Sequence, residues 1–281
     1  MKKIFASVVL VLFAAAVYAQ GGSALLIPSD ARALAMGVSA LQPGASTLDA
    51  NVFYGMWAPQ TVDNTVLGAD AFFRLNDRLA FSVEGRSLKD KPYTVTNAKG
   101  VAEGEFTPSD MIVGLGASYF INEQLSVGLK ARMLSSSIAP DIKGSAMCFD
   151  LRAGYATELF NAGLSLRNVG SQIDYGAGGY ALPAYAALDG TVSPVDGLTA
   201  AFDAGYLFSG ALMAGLGVEY TVLDMVSLRA GYHYGDAAKA LPSYASAGLG
   251  VQFAGLKLDA AYLLASDALG STLFLSLGYA F

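Results

Sequence analysis

The chain has 281 residues, of which 54% are hydrophobic, with 32 glycines and 15 each of Tyr and Phe. After residue 19 no apolar run reaches the ~20 residues a spanning helix needs, so the hydrophobicity is dispersed along alternating strands. A formal charge of −6 excludes the basic stripe that nucleic acid requires, and the single cysteine, Cys148, excludes an intramolecular disulfide scaffold.

Residues 1–19 read as a secretory signal peptide. Lys2 and Lys3 precede an apolar run from Ile4 to Val17, and Val17-Tyr18-Ala19 places small residues where a signal peptidase reads. Cleavage is expected after Ala19. No cysteine follows the run, so lipoprotein processing is not expected. Residues 20–48 are small, apolar and only weakly periodic around Leu25-Leu26-Ile27-Pro28-Ser29-Asp30-Ala31-Arg32-Ala33-Leu34-Ala35-Met36-Gly37. They suit either a periplasmic tail or, the favoured reading, a short N-terminal plug inside a barrel too wide for its own side chains to fill.

From residue 49 to 281 the chain reads as a transmembrane β-barrel. The alternation predicts an all-β, 14-stranded antiparallel barrel with strands at 49–57, 64–74, 78–88, 109–120, 124–136, 144–157, 159–169, 183–193, 198–208, 211–221, 225–234, 243–253, 255–265 and 270–281. Tight connections such as Leu75-Asn76-Asp77, Ile121-Asn122-Glu123 and Val222-Leu223-Asp224 fall at every second junction, as periplasmic turns do. Those between them are mostly longer: Lys89 to Pro108, Ser137 to Lys143, Gly170 to Leu182, Gly235 to Pro242 and Ser266 to Leu269. An even strand count returns both ends of the barrel to the periplasmic side.

A period of two assigns the faces. One face carries Leu125, Val127, Leu129, Ala131 and Met133, then Met147, Phe149, Leu151, Ala153 and Tyr155. The other collects seven acids (Asp70, Glu84, Asp150, Asp189, Asp203, Glu219, Asp259) and eight bases (Arg74, Arg86, Lys130, Arg132, Arg152, Arg167, Arg229, Lys257). A base on the lipid face near the bilayer midplane costs ~2–4 kcal/mol, so this parity suits charges in a lumen; a soluble sandwich would sort them equally well, and the signal, the terminal strand and the aromatic placement decide against it. Aromatic residues gather near strand ends in two girdles: Phe73, Tyr119, Phe120, Tyr155, Tyr220, Phe253, Tyr279 and Phe281 at one rim, Tyr206, Phe208, Tyr232, Tyr234 and Tyr262 at the other. The last strand alternates throughout and ends on Phe281, resembling the assembly signal of bacterial outer-membrane barrels.

Several stretches carry a family likeness: Ser29-Asp30-Ala31-Arg32-Ala33-Leu34-Ala35-Met36-Gly37 with the small residues Val38 to Leu41, Tyr54-Gly55-Met56-Trp57, Phe106-Thr107-Pro108, Lys143-Gly144-Ser145-Ala146, Leu166-Arg167-Asn168-Val169-Gly170-Ser171, Arg229-Ala230-Gly231-Tyr232-His233-Tyr234-Gly235-Asp236 and the closing strand. On these the chain resembles the PorV/PorQ family, distant relatives of FadL-type fatty-acid channels. Relatives usually carry an Asn-Pro-Ala element after the Met-Gly stretch; here Ala45 to Val52 lacks it, so the plug is expected to be reduced. The resemblance implies a bacterial outer-membrane location of Bacteroidetes type, and a role in type IX secretion in which the outer mouth receives exported or surface-anchored proteins.

No catalytic residue, cofactor or metal site is assigned. His233 is the only histidine, on the interior parity near the outer rim, with no nucleophile or paired carboxylate indicated beside it. Asp141 and Asp174 could meet at a cation, but solvated loop charges are commoner. Gly114-Leu115-Gly116 and Gly215-Leu216-Gly217 lie inside strands, where close packing of a plug explains them better than phosphate binding. The expected partners are outer-membrane lipid, the barrel assembly machinery and secreted or surface proteins, with no nucleic acid. Two functions stand: a non-catalytic PorV-like partner protein, and, as the alternative, a FadL-like passive channel for hydrophobic small molecules.

Overall fold

The structure is a computed structural model and describes residues 22–41, 46–57, 64–265 and 270–281. The expected signal peptide therefore lies outside the described residues, as does the Ser266–Leu269 connection. In chain order the strands are β1 (Leu48–Trp57), β2 (Asn64–Arg74), β3 (Leu79–Lys89), β4 (Tyr93–Thr96), β5 (Ala102–Phe106), β6 (Ser109–Phe120), β7 (Leu125–Ala139), β8 (Ile142–Ala156), β9 (Phe160–Gly170), β10 (Ile173–Asp174), β11 (Gly179–Tyr180), β12 (Tyr185–Val195), β13 (Leu198–Leu207), β14 (Ala211–Val222), β15 (Val226–Gly235), β16 (Tyr244–Phe253), β17 (Leu256–Ala265) and β18 (Ser271–Ala280). Fourteen of them close into one antiparallel barrel in the order β1-β18-β17-β16-β15-β14-β13-β12-β9-β8-β7-β6-β3-β2.

Closure comes from β18 pairing with β1, Asp49 opposite Ala280 through Met56 opposite Leu273. It leaves no free sheet edge in the barrel wall, the condition for a sheet in hydrocarbon. Alternation then sorts the side chains. In β18, Leu273, Leu275, Leu277 and Tyr279 are exposed outward while Thr272, Phe274 and Ser276 are buried inward. The outward ladders of β7 and β8 behave alike, and on other strands Leu115, Leu164 and Leu216 are more than 60% exposed on the outer face.

The short turns are built as their residues require. Asn76 Oδ1 accepts from the backbone N–H of Arg78 and Leu79, and Asn122 Oδ1 from those of Gln124 and Leu125. Leu223 and Asp224 both have positive φ (52° and 54°), as do Ala254 and Gly255 (48° and 84°), the twist that suits two-residue hairpins.

Three features differ from the sequence expectation. Strands β7 and β8 run 15 residues each, so most of Ser137 to Lys143 is strand rather than loop. The two longest outer connections contain hairpins, β4–β5 and β10–β11, whose alternation is too short to register over a few residues. A bulge interrupts the β8–β9 ladder between Phe149 and Leu151. There Asn168 takes φ 57°, donating its N–H to Asp150 Oδ1 at 2.8 Å and its side-chain amide to Pro183 O at 3.0 Å, and accepting from Arg132 Nη2 at 2.7 Å.

Candidate functional site

The lumen has two storeys. At the end carrying the longer loops the inward positions are apolar: Phe53, Trp57, Leu88, Ile112, Leu134 and Phe274 are all buried, with Ile173 and Leu182 closing over them from the β10–β11 connection. The N-terminal segment fills this storey. Its 3-10 turn (Ser23–Leu26) and Ile27 place Leu25, Leu26 and Ile27 in the same cluster, each at most 7% exposed. Trp57, the only tryptophan, meets Phe274 edge-on with ring centroids 6.3 Å apart.

Below the turn, helix α1 (Ala31–Ala35) docks on the inner wall. Asp30 caps it, its carboxylate accepting from the N–H of Arg32 and Ala33 at 3.0 and 3.3 Å. Burial pushes the Asp30 carboxyl above the usual range, against those two N–H groups, which pull it down. Arg32 reaches Glu219 through Nε at 2.8 Å and Nη2 at 2.6 Å, a two-point contact that fixes the plug to β14. Arg229 then bridges Glu219 and Asp259, at 2.5 and 2.6 Å.

Single bonds tie the remaining plug backbone to the wall. Ala31 donates its N–H to Ser276 Oγ at 2.9 Å, Ser246 Oγ donates to Ala35 O at 2.9 Å, and Arg86 Nη1 donates to Ile27 O at 2.7 Å. Asp203 accepts from both the N–H and the hydroxyl of Ser39. His233 Nδ1 lies 3.3 Å from Gly37 O, with its ring stacked on Tyr244 at 5.0 Å.

Glycines set how close the plug comes. A methyl group built at Gly217 or Gly231 would overlap Met36 backbone, one at Gly215 would overlap the Gly37 carbonyl, and one at Gly248 would strike Ala35. Gly37 itself has φ 68° and would put a Cβ 2.7 Å from Tyr232 backbone. Bare wall on β14, β15 and β16 is therefore where Ala35-Met36-Gly37 presses in.

The storey at the short-turn end is polar and open, a cavity of about 520 Å³. Most of the interior charges named from sequence line it, and nearly all are paired: Lys130 with Glu84 at 3.0 Å, Arg132 with Asp150, Arg152 with Asp189, and Lys257 with Asp49 at 3.0 Å. Three charges lie elsewhere. Asp203 serves the plug, Arg74 is covered by the Phe120 ring at 4.2 Å, and Asp189 sits behind Arg152. Phe120 thus belongs to the inner rim rather than the outer girdle. Asp49 was missed from the charge ladder because it precedes the regular alternation of β1; the unpaired base Lys257 was the available signal. Asp174, the candidate cation ligand, caps its own turn by accepting from Gly176 and Gly178 N–H. Cys148 is fully buried opposite Arg132 on the neighbouring strand.

This fold and lumen define a closed 14-stranded antiparallel barrel with an internal plug. No family model and no curated protein matches the chain. Among solved structures it is similar to the toluene transporter TbuX of Ralstonia pickettii (12% identity, TM-score 0.66, over 91% of this chain and 99% of that one). It is also similar to the monoaromatic hydrocarbon channel CymD (13%, 0.63, 91% and 97%) and to the toluene transporter TodX of Pseudomonas putida (13%, 0.56, 95% and 95%). At these identities the likeness is one of fold.

Proposed function

We propose that this protein is a FadL-like outer-membrane passage for small hydrophobic molecules, held shut by its own N-terminal segment. The observation that carries the reading is the apolar outer storey, occupied by Leu25, Leu26 and Ile27. An apolar cavity lining gains roughly 25 cal/mol per Å² from any apolar surface that fills it, so a hydrocarbon can compete for the place the plug now takes. A passage for polar solutes would need a continuous wet path, and the packed storey interrupts it. The solved neighbours, a toluene transporter and a monoaromatic hydrocarbon channel, are consistent in kind. Trp57 supplies the test, since it is the one tryptophan and lies in that storey. Toluene added to the purified barrel should change Trp57 emission saturably, and cells lacking the protein should take up toluene more slowly. Absence of both effects would overturn the reading.

A second reading follows the PorV/PorQ resemblance and rests on the β4–β5 hairpin. It stands in the loop at the outer end, with Tyr93 and Phe106 in edge contact at 5.7 Å and Tyr93 and Val101 exposed. Under that reading the hairpin anchors secreted or surface proteins in a type IX secretion role. Replacing Lys89–Pro108 by a short Gly-Ser turn should then leave the barrel assembled and remove co-purifying surface proteins. Retention of every partner would exclude it.

A further inference from the structure

The charges of the lower cavity are separated around the ring. Strands β7, β8 and β9 present Lys130, Arg132, Arg152 and Arg167 against Asp150 and, on β12, Asp189, while Glu84 of β3 reaches Lys130 at 3.0 Å and Arg132 at 3.8 Å. Half a circuit away, the arc from β14 to β2 together with the plug presents Glu219, Asp259, Asp49, Asp70 and Asp30 against Arg229, Lys257 and Arg32. Strand β3 carries one of each sign, Glu84 and Arg86. In the barrel order β8 is seven strands from β17 in either direction, so the two groups face each other across the lumen. Their formal balances are two positive and two negative, and the lumen as a whole is neutral. Low-dielectric walls on both sides concentrate the resulting transverse field in the water between.

Unused valences lie on both faces. Asp70 has Asn51 Nδ2 at 3.4 Å and, among the described residues, no cation within 4 Å. Four to five strands round the ring from β2, Arg152 and Arg167 of β8 and β9 line the same cavity and share a single carboxylate, Asp189. Leu25, Leu26, Ile27 and Pro28 roof the cavity, so a solute reaches it from the short-turn, periplasmic end.

We propose that this cavity is a binding site for a compact zwitterion whose charges are separated by a short chain, its carboxylate toward Arg152 and Arg167 on β8 and β9 and its ammonium toward Asp70 and Asp49 on β2 and β1, four to six strands round the ring. A solute of one charge gains at one face and loses at the other, whereas a zwitterion aligned with the field gains at both. The site is independent of the hydrophobic passage proposed above.

The experiment uses the full-length barrel purified in detergent and titrated with 6-aminohexanoate, hexanoate and hexylammonium, read by calorimetry or saturation-transfer NMR. The zwitterion should bind about tenfold more tightly than either singly charged analogue. The preference should shrink at high salt, where the screening length falls to a few ångströms. Asp70→Asn and Arg167→Gln should each reduce it several-fold; both leave the ion pairs of Glu84 and the Arg152–Asp189 pair in place, and heat-modifiable migration verifies folding. Equal binding of hexanoate would make this an anion site and overturn the proposal, as would a folded barrel that binds none of the three. The Trp57 response to toluene should be unchanged in Asp70→Asn, which separates failure of this site from failure of the hydrophobic passage.

Discussion

Gly37 shows how much one residue can fix. Its positive φ costs any L side chain ~1–2 kcal/mol, and its Cβ position collides with the Tyr232 backbone, which cannot swing aside as a flexible side chain would. Around it, Ser39 is held by Asp203 and the Gly37 carbonyl lies against His233, so the backbone from 37 to 39 is clasped by β13 and β15. Gly37→Ala should therefore lift the plug without opening the barrel. Trypsin cleavage after Arg32 is the measurement. It should be at least several-fold faster in the variant, while heat-modifiable migration is retained; an equally protected Arg32 would show that the clasp does not hold the plug.

At the level of elements, the seam between β18 and β1 decides whether the sheet becomes a barrel. Phe281 lies just beyond β18 and bonds across the seam three times through its backbone: Thr47 N–H and Leu48 N–H donate to its carbonyl at 2.7 and 3.1 Å, and its own N–H donates to Leu48 O at 3.1 Å. Its ring, 64% exposed, continues the outward ladder beside Tyr279 at 5.9 Å. Hydrogen bonds of this kind are worth ~1 kcal/mol each, and in a bilayer their loss also leaves backbone groups unsatisfied. Deleting Phe281 should lower the heat-modifiable fraction in the outer membrane severalfold while export across the inner membrane continues. Unchanged barrel yield would mean that β18 closes on β1 without its last residue.

For the whole molecule the two storeys make opposite statements about water. The lower one is open and charged; the upper one is filled by Leu25, Leu26 and Ile27 against Trp57 and Phe274. Planar-bilayer recordings of the intact protein should show small or no single-channel steps, and removal of residues 22–36 should produce large ones. Large steps from the intact protein would contradict the packed upper storey.

The strand number, the two faces and the luminal charges were legible in the sequence because each depends on a period of two, a property of a few consecutive residues. The plug was legible as a small, apolar segment that a wide barrel could take in, and the stretch from Asp30 to Gly37 as a resemblance, but neither says what holds it. The hold, a helix cap, a two-point ion pair to Glu219 and a Met-Gly pressed onto bare wall, needs β14, β15 and β16 brought alongside it from some 180 residues later in the chain. The same holds for the division of the lumen into an apolar and a polar storey, and for the separation of its charges onto opposite faces. Alternation says which side of the sheet a residue faces; register and closure of the ring set its height and what it faces across the lumen, and these exist only in the folded barrel.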